Sequence, residues 1–307
     1  MPHNISFFIP AYNCSKTIED AILSILETNF SIGDELVIVN DCSTDNTAEV
    51  LDKCVTRYPS IKVIHHTRNK GGAAARNTAI ENSQNELLFC LDADNVLETN
   101  SIKPLKEYLK STDAEAASFQ NQHFFSNDLN KPDYTWSLPA GEIPLASHLQ
   151  GKNVPGQHGN YLFTKSSWKR AGGYAEGCGA LDTSTFGLRQ AITGTKFVCL
   201  ENSQYFHRLD QQNSYWMKDA EANLWSVSVK AAFALTPLLH LIDENFVTYM
   251  FGKGRYIWFY NLKHRPIELA GNKEEFYQNL NKKLNNFIYP QKRTSQRIFD
   301  KVKRFFS

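Results

Sequence analysis

Runs of apolar residues, each ending in a polar turn, dominate the first hundred positions. Leu87-Leu88-Phe89-Cys90-Leu91 has no polar alternation at all, which reads as a strand buried on both faces of a sheet. Ile5-Ser6-Phe7-Phe8-Ile9, Glu35-Leu36-Val37-Ile38-Val39 and Ile61-Lys62-Val63-Ile64 read as three more strands. Between them the apolar spacing becomes helical. Ser15 is placed to N-cap a helix to about Glu27, with Ile18, Ile22, Ile25 and Leu26 on one face. A second helix carries Val50, Leu51, Cys54 and Val55 and stops near Tyr58-Pro59. Gly71-Gly72 opens a third, alanine-rich helix to about Asn82, whose small side chains allow close packing on a sheet. Strands and helices alternating through short links predict right-handed crossovers. The expected fold class is α/β: a doubly wound, mostly parallel sheet with helices on both faces.

Past position 100 the pattern loosens. It predicts a helix over 100–116 and a strand at Ala117-Ser118-Phe119. Residues 121–160 lose periodicity and read as loop, and a loop that long is usually functional or disordered. Gly159-Asn160-Tyr161-Leu162-Phe163-Thr164 reads as a strand, followed by a short helix over 166–171 stopped by Gly172-Gly173. A further helix follows Ala180-Leu181-Asp182-Thr183 and ends at Gly194. Lys196-Phe197-Val198-Cys199-Leu200 is the last strand, with Tyr205-Phe206-His207-Arg208 beyond it. From about Ser214 the chain reads as a separate, mostly helical region rich in aromatics such as Trp216, Trp225 and Tyr249. The expected division is an α/β domain over 1–213, in halves 1–100 and 101–213, and a helical C-terminal region over 214–307.

The strand ends hold the chemistry, because open α/β sheets bind ligands outside the carboxyl ends of their strands. Asp92-Ala93-Asp94-Asn95 follows the buried run. Pro10-Ala11-Tyr12-Asn13 follows the first strand and Asn40-Asp41-Cys42-Ser43-Thr44-Asp45 the second. A glycine- and alanine-rich stretch follows the third. Polar and glycine-rich groups therefore collect at one sheet edge, as a nucleotide site requires. Two carboxylates one residue apart suit a hard cation such as Mg²⁺ or Mn²⁺, whose remaining ligands are commonly substrate phosphates. Taken alone, the same tetrapeptide reads equally well as a polar turn.

Four segments together are more specific. Ile-Pro-Ala-Tyr-Asn at 9–13, Val-Asn-Asp-Cys-Ser-Thr-Asp at 39–45, Arg-Asn-Lys-Gly-Gly-Ala-Ala-Ala-Arg-Asn at 68–77 and Leu-Asp-Ala-Asp-Asn at 91–95 resemble, in order and spacing, the family 2 glycosyltransferases of the GT-A fold. Good matches cover residues 4 to about 100, and weaker ones reach 210. The resemblance implies an inverting, Mn²⁺- or Mg²⁺-dependent transfer of a sugar from a nucleotide-sugar, with UDP favoured, to a hydroxyl of a glycan or lipid-linked glycan. The nucleotide-sugar half would be 1–100 and the acceptor half 101–213. It implies that Pro10, Tyr12, Asp41 and Arg76 hold the nucleotide and Asp92 the ribose and diphosphate. It puts Asp94 on the metal, His207 on the metal or diphosphate, and Arg208 on phosphate. Asn95 replaces a third acidic residue of many relatives and still offers an oxygen. In relatives the base is the Asp of a Glu-Asp pair. Aligned without gaps, Asp182 falls on the Glu and Thr183 on the Asp; one inserted residue places Asp182 on the Asp instead. Threonine cannot be a base near neutral pH, so Asp182 carries the expectation.

Composition narrows the alternatives. The 307 residues are 42% hydrophobic and 21% charged, with 33 basic and 32 acidic side chains, so no overall field attracts nucleic acid. The six cysteines (14, 42, 54, 90, 178, 199) show no Cys-x-x-Cys spacing and read as reduced thiols of a cytoplasmic protein. Met1-Pro2-His3-Asn4 leads directly into the first strand, so no signal peptide is expected. The most apolar stretch, 231–242, is too short to span a bilayer. Near the C-terminus, Lys292, Arg293, Arg297, Lys301, Lys303 and Arg304 face one acid, Asp300, while Ile298, Phe299, Val302, Phe305 and Phe306 recur at helical spacing. Such a helix either lies on the anionic inner face of the cell membrane or packs on the α/β domain. The aromatic-rich region could equally join a second subunit. The expected role is surface polysaccharide or glycoconjugate synthesis. Two alternatives stand beside it: a catalytically impaired nucleotide-sugar-binding scaffold, motivated by Thr183, and a sugar nucleotidyltransferase. The latter normally opens with a glycine-rich, arginine-containing loop, which Pro10-Ala11-Tyr12-Asn13 is not.

Overall fold

In the computed structural model, the apolar runs of the sequence pair into one ten-stranded sheet. The structure describes residues 4–150, 153–209 and the isolated positions 231, 234, 235, 238 and 241. The strands are β1 (Ile5–Ala11), β2 (Glu35–Asn40), β3 (Ile61–His65), β4 (Leu87–Cys90) and β5 (Val96–Leu97). They continue with β6 (Ala116–Phe125), β7 (Tyr134–Ser137), β8 (Gly141–Ile143), β9 (Leu162–Thr164) and β10 (Phe197–Arg208). The spatial order is β3-β2-β1-β4-β9-β6-β10-β5, with β7 on β6 and β8 on β10. Neighbours β3, β2, β1 and β4 are parallel, β9 runs against both β4 and β6, and β6 and β10 are again parallel. The reversed β9 is what brings the end of β4 beside the second half of the sheet.

Seven helices among the described residues cover the two faces. They are α1 (Ile18–Leu26), α2 (Thr47–Arg57), α3 (Gly72–Glu81), α4 (Ile102–Ser111), α5 (Leu145–Gln150), α6 (Lys165–Ala171) and α7 (Asp182–Ile192). One apolar core packs α1, α2 and α4 on the side of Phe7, Ile9, Phe89 and Leu91; the other packs α3, α6 and α7 on the side of Phe8, Leu88 and Cys90. The β4 run thus feeds both cores, which is why it has no polar alternation. Burying each large apolar side chain contributes about 1.5–3 kcal/mol. The fold class expected from sequence is the one observed.

Several local expectations need correcting. Helix α1 begins at Ile18, not after Ser15, because the backbone N–H groups of Cys14 and Ser15 donate to Thr47 Oγ1 (2.8 Å) and Asp45 Oδ2 (3.2 Å). The first strand-end loop is therefore pinned to the second. Helix α4 stops at Ser111, where Asp113 turns into the left-handed region. Residues 121–160 are not loop: β6 runs on to Phe125, and β7, β8, α5 and a 3₁₀ turn at Pro155–Gln157 follow. Polar side chains such as Gln122 are buried there, which hides the strand from a hydrophobicity pattern. β9 begins only at Leu162. The strand expected to end at Leu200 continues to Arg208, through a register shift between Leu200 and Gln204 that absorbs the polar Asn202. His207 consequently lies inside β10, not after it.

No helix among the described residues is long and apolar enough to cross a membrane. The expected helical region over 214–307, its aromatic packing and the basic C-terminal stripe lie outside the described residues.

Helix α7 meets the 3₁₀ turn at Pro155–Gln157 through a glycine pair. A Cβ on Gly187 of α7 would stand 2.6 Å from the Cα of Gly156 in the 3₁₀ turn. Backbone cannot move away as a side-chain tip can. Gly187→Ala should cost about 1–3 kcal/mol of stability, as overpacking does; thermal denaturation would show it, and an unchanged midpoint would contradict this packing.

Candidate active site at the carboxyl edge of the sheet

The loops after β1, β2, β3 and β4 meet at one edge, and hydrogen bonds lock them to each other. Asp41, just past β2, is buried with 3% exposure. Its Oδ1 accepts from His66 Nδ1 (2.6 Å) and from the Lys70 N–H (2.9 Å), and its Oδ2 accepts from the Gly71 N–H (2.7 Å). His66 Nε2 lies 3.0 Å from Thr78 Oγ1. Gly71 has φ +91°, a left-handed conformation that turns its N–H toward Asp41 at little cost only in glycine. The carboxylate thus fixes the loop that opens α3. Three acceptor positions of this carboxylate are thus engaged within the protein. Tyr12 is half exposed beyond β1, and Pro10 is paired with Val39 of β2. Asp45 further ties this edge: burial works against its ionisation, but hydrogen bonds from Thr47 and Ser15 outweigh that and hold its carboxyl at about 2.

Arg76, from the second turn of α3, sits between two carboxylates. Its Nη2 donates to Asp92 Oδ1 at 2.9 Å and its Nη1 to Asp182 Oδ2 at 2.7 Å. Asp182 is the first residue of α7, and its Oδ1 accepts from the Thr183 N–H at 2.6 Å. Burial raises the Asp182 pKa above the ordinary aspartate value, and the Arg76 charge draws it part of the way back. Asp92 is clamped from the other side. Its Oδ2 accepts from Asn160 Nδ2 (3.0 Å), and its N–H donates to Asn160 Oδ1 (3.2 Å). Sequence reasoning missed Asn160. Only the antiparallel insertion of β9 beside β4 brings it there, although an Asn after a Gly at a strand entry was a visible polar mark.

Asp94 is half buried in the same turn. Asn95 and Arg208 do something other than expected. The Asn95 Oδ1 accepts the Arg208 N–H (3.0 Å), so that oxygen is already engaged. The Arg208 guanidinium donates through Nε to the Asp94 carbonyl (3.0 Å) and through Nη2 to Asp20 (2.9 Å). His207 Nδ1 lies 3.4 Å from Asn95 Nδ2 and Nε2 lies 2.9 Å from Gln122 Oε1. A single assignment satisfies both: Nε2–H donates to Gln122, and Nδ1 accepts from Asn95. The ring stacks on Phe124 at 4.5 Å. Burial holds its pKa at about 3.

A divalent cation would find hard oxygen donors in Asp94, which suits Mn²⁺ or Mg²⁺. It would find no unengaged nitrogen on His207 in this arrangement. Among the described residues no group of three or more His, Cys, Asp or Glu side chains could hold a metal.

This geometry can be set against known proteins. The family model for glycosyl transferase family 2 matches residues 6–170, more than half of the chain. The chain belongs to that family. It is 30% identical to the glycosyltransferase GlyG of Streptococcus pneumoniae over 131 residues, 42% of this chain and 43% of that one. It is 32% identical to the chondroitin synthase of Pasteurella multocida over 180 residues, 56% of this chain and 17% of that one. Against TuaG of Bacillus subtilis, described as a putative teichuronic acid biosynthesis glycosyltransferase, identity is 31% over 124 residues, 40% and 48% of the two chains. The chain therefore spans less than half the length of these curated relatives. Among solved structures, S. aureus TarS 1–349 superposes with a TM-score of 0.62 at 16% identity, covering 92% of this chain and 80% of that one. The mannosyltransferase PcManGT of Pyrobaculum calidifontis, in complex with GDP-Man and Mn²⁺, gives 0.56 at 16%, covering 99% and 80%. These neighbours show the fold, which is of the GT-A type.

Three buried histidines make stability depend on pH. His148, tilted against Phe197 at 4.4 Å, and His207 are both pushed by burial down to about 3, and burial holds His158 well below its ordinary value. Below about pH 6.5 the unfolded chain takes up protons that the folded one refuses. Stability should therefore fall as pH drops from about 6.5 toward 3, by about 1.4 kcal/mol per pH unit for each histidine. Urea denaturation at pH 7 and pH 5 reads this slope, and His148→Phe should flatten it. Equal stability at the two pH values would contradict the buried neutral rings.

Proposed function

We propose that this chain is an inverting glycosyltransferase that moves a sugar from a UDP-sugar to an acceptor hydroxyl, with Mn²⁺ or Mg²⁺ as cofactor. The observation that carries this reading is the convergence of Asp41, Asp92, Asp94 and Asp182 on one carboxyl edge of the sheet, in a chain of glycosyl transferase family 2. The complexes of TarS with UDP-GlcNAc and of PcManGT with GDP-Man and Mn²⁺ support a nucleotide-sugar donor and a divalent metal. The relatives GlyG, TuaG and chondroitin synthase support a place in surface polysaccharide or glycoconjugate synthesis. The acceptor would be a glycan or lipid-linked glycan, and the location cytoplasmic or at the inner face of the membrane.

Each residue has a task in this scheme. Tyr12 covers the base, Pro10 shapes the pocket floor, and Asp41 accepts the uracil N3–H. Asp92 meets the ribose. Asp94 would hold the metal, which when bound offsets the charge of the departing diphosphate. Asp182 takes the acceptor proton as the glycosidic bond forms. Its raised pKa brings it closer to the operating pH, where a general base works best. Arg208 and His207 hold the Asp94 turn from behind, through the Asp94 carbonyl and Asn95.

A second reading is favoured by one observation. Asp182 is buried against Arg76, and Thr183 beside it cannot act as a base. A binding protein with this pocket and no turnover would look the same, and catalysis separates the two.

UDP should bind more tightly with Mn²⁺ than with chelator, and Asp94→Ala should abolish the difference while the fold persists. Calorimetry showing equal affinity in both conditions would remove the metal from the scheme. With UDP-GlcNAc as donor, Asp182→Asn should lower turnover roughly a hundredfold or more, and the acid limb of the wild-type rate should lie above the ordinary aspartate range. Wild-type turnover in the variant would exclude Asp182 and point to Glu176, which is exposed and 3.3 Å from Asn77 Nδ2.

A further inference from the structure

The family resemblance gives Arg76 to the nucleotide, and the geometry points elsewhere. Resting on the reading of Asp182 as the proton acceptor, we infer that Arg76 is a positioning residue for that carboxylate and does not itself contact the nucleotide. Both terminal nitrogens are committed, Nη1 to Asp182 and Nη2 to Asp92. The side chain is only 11% exposed, and its Nε is buried without a hydrogen-bond partner. The Tyr174 ring lies 5.7 Å from the guanidinium carbon. Little donor surface is left for a diphosphate.

The surrounding sequence is built for the same contact. Gly72, at the first position of α3, has no side chain where Arg76 must pass: a Cβ there would stand 2.8 Å from Arg76 Nη1 and 3.2 Å from Asp182 Oδ2. The glycine lets the helix come close enough for Arg76 to reach across to α7. Asp182 is also the N-terminal residue of α7, where the helix dipole favours a carboxylate.

The groups bearing on Asp182 act in two directions. Burial, the Asp92 charge from β4's end and the neighbouring Cys90 and Tyr174 disfavour its ionised form or share its low-dielectric surroundings. Arg76 and the Thr183 N–H favour it. Arg76 therefore favours the ionised form of Asp182, the form able to accept a proton, while linking it to the strand end where the donor would lie. The planar fork is necessary. A lysine offers a point charge and cannot bridge two carboxylates in one geometry.

Carbon-detected NMR of protein labelled at the aspartate carboxyl carbons reads Asp182 directly, with Asp182→Asn assigning the signal. Arg76→Gln should raise the Asp182 midpoint by about one pH unit or more, the size expected for losing an opposite charge in contact. Arg76→Lys should restore part of the shift. Calorimetry with UDP and Mn²⁺ on the same proteins should give Arg76→Gln an affinity close to that of wild type. An unchanged midpoint, or a loss of UDP affinity of roughly tenfold or more, would overturn the inference in favour of a nucleotide contact. Should Arg76→Gln not fold, Arg76→Lys decides: it keeps the charge and cannot bridge both carboxylates, so a midpoint raised above wild type supports the link and an unchanged one refutes it. If wild-type protein does not bind UDP, the donor reading falls, and the Asp182 midpoint still decides the role of Arg76.

Discussion

One buried guanidinium joins three elements that also share an apolar core. Arg76 leaves α3, and its two terminal nitrogens reach the end of β4 and the start of α7. A cation this far from water is costly unless its partners are close and well oriented, and removing one partner of such a pair commonly costs about 3–5 kcal/mol. Asp92 and Asp182 are those partners, and Asp92 shares its turn with Asp94, at the edge proposed for a divalent cation and a diphosphate. The fold and the proposed chemistry thus share one electrostatic arrangement.

Around that link the strand-end loops are fixed by each other and not by helices alone. Asp41 holds the turn into α3 through two backbone N–H groups and His66. Thr47 and Asp45 hold the turn after β1. Asn160 closes on Asp92 from β9's approach, and the chain from Phe119 through Gln122 and His207 to Asn95 supports the Asp94 turn. Such a site is organised before any ligand arrives, so little binding energy is spent on ordering loops. The cost is that several groups a ligand might have used are already paired. Arg208 and His207 are examples: both sit at the expected edge, yet both serve the backbone and side chains behind it.

The sequence and the structure agree where side-chain identity alone decides the outcome. The runs at 5–9, 35–39 and 87–91 read as buried strands because each is short, bounded by turn residues and rich in apolar side chains, a length that suits a strand better than a helix. Their polar ends had to share an edge, because parallel strands joined by right-handed crossovers place all carboxyl ends together. The four motifs and their order accordingly carried both the fold class and the family. Where the pattern failed, at 121–160 and at 200–208, the strands bury polar residues or pass through a bulge, and a hydrophobicity period cannot register either.

Which residues meet was decided only by the tertiary structure. Arg76 and Asp182 are 106 positions apart, and Asn95 and His207 are 112 apart; nothing local links them. The sequence determined which groups would stand at the strand ends, since that follows from where apolar runs stop. Their partners were set by the insertion of the reversed β9 beside β4 and by the approach of α7 to the glycine-led start of α3. A carboxylate reads the same in sequence whether it faces solvent, a metal or an arginine, and only the packing of distant elements supplies that neighbour.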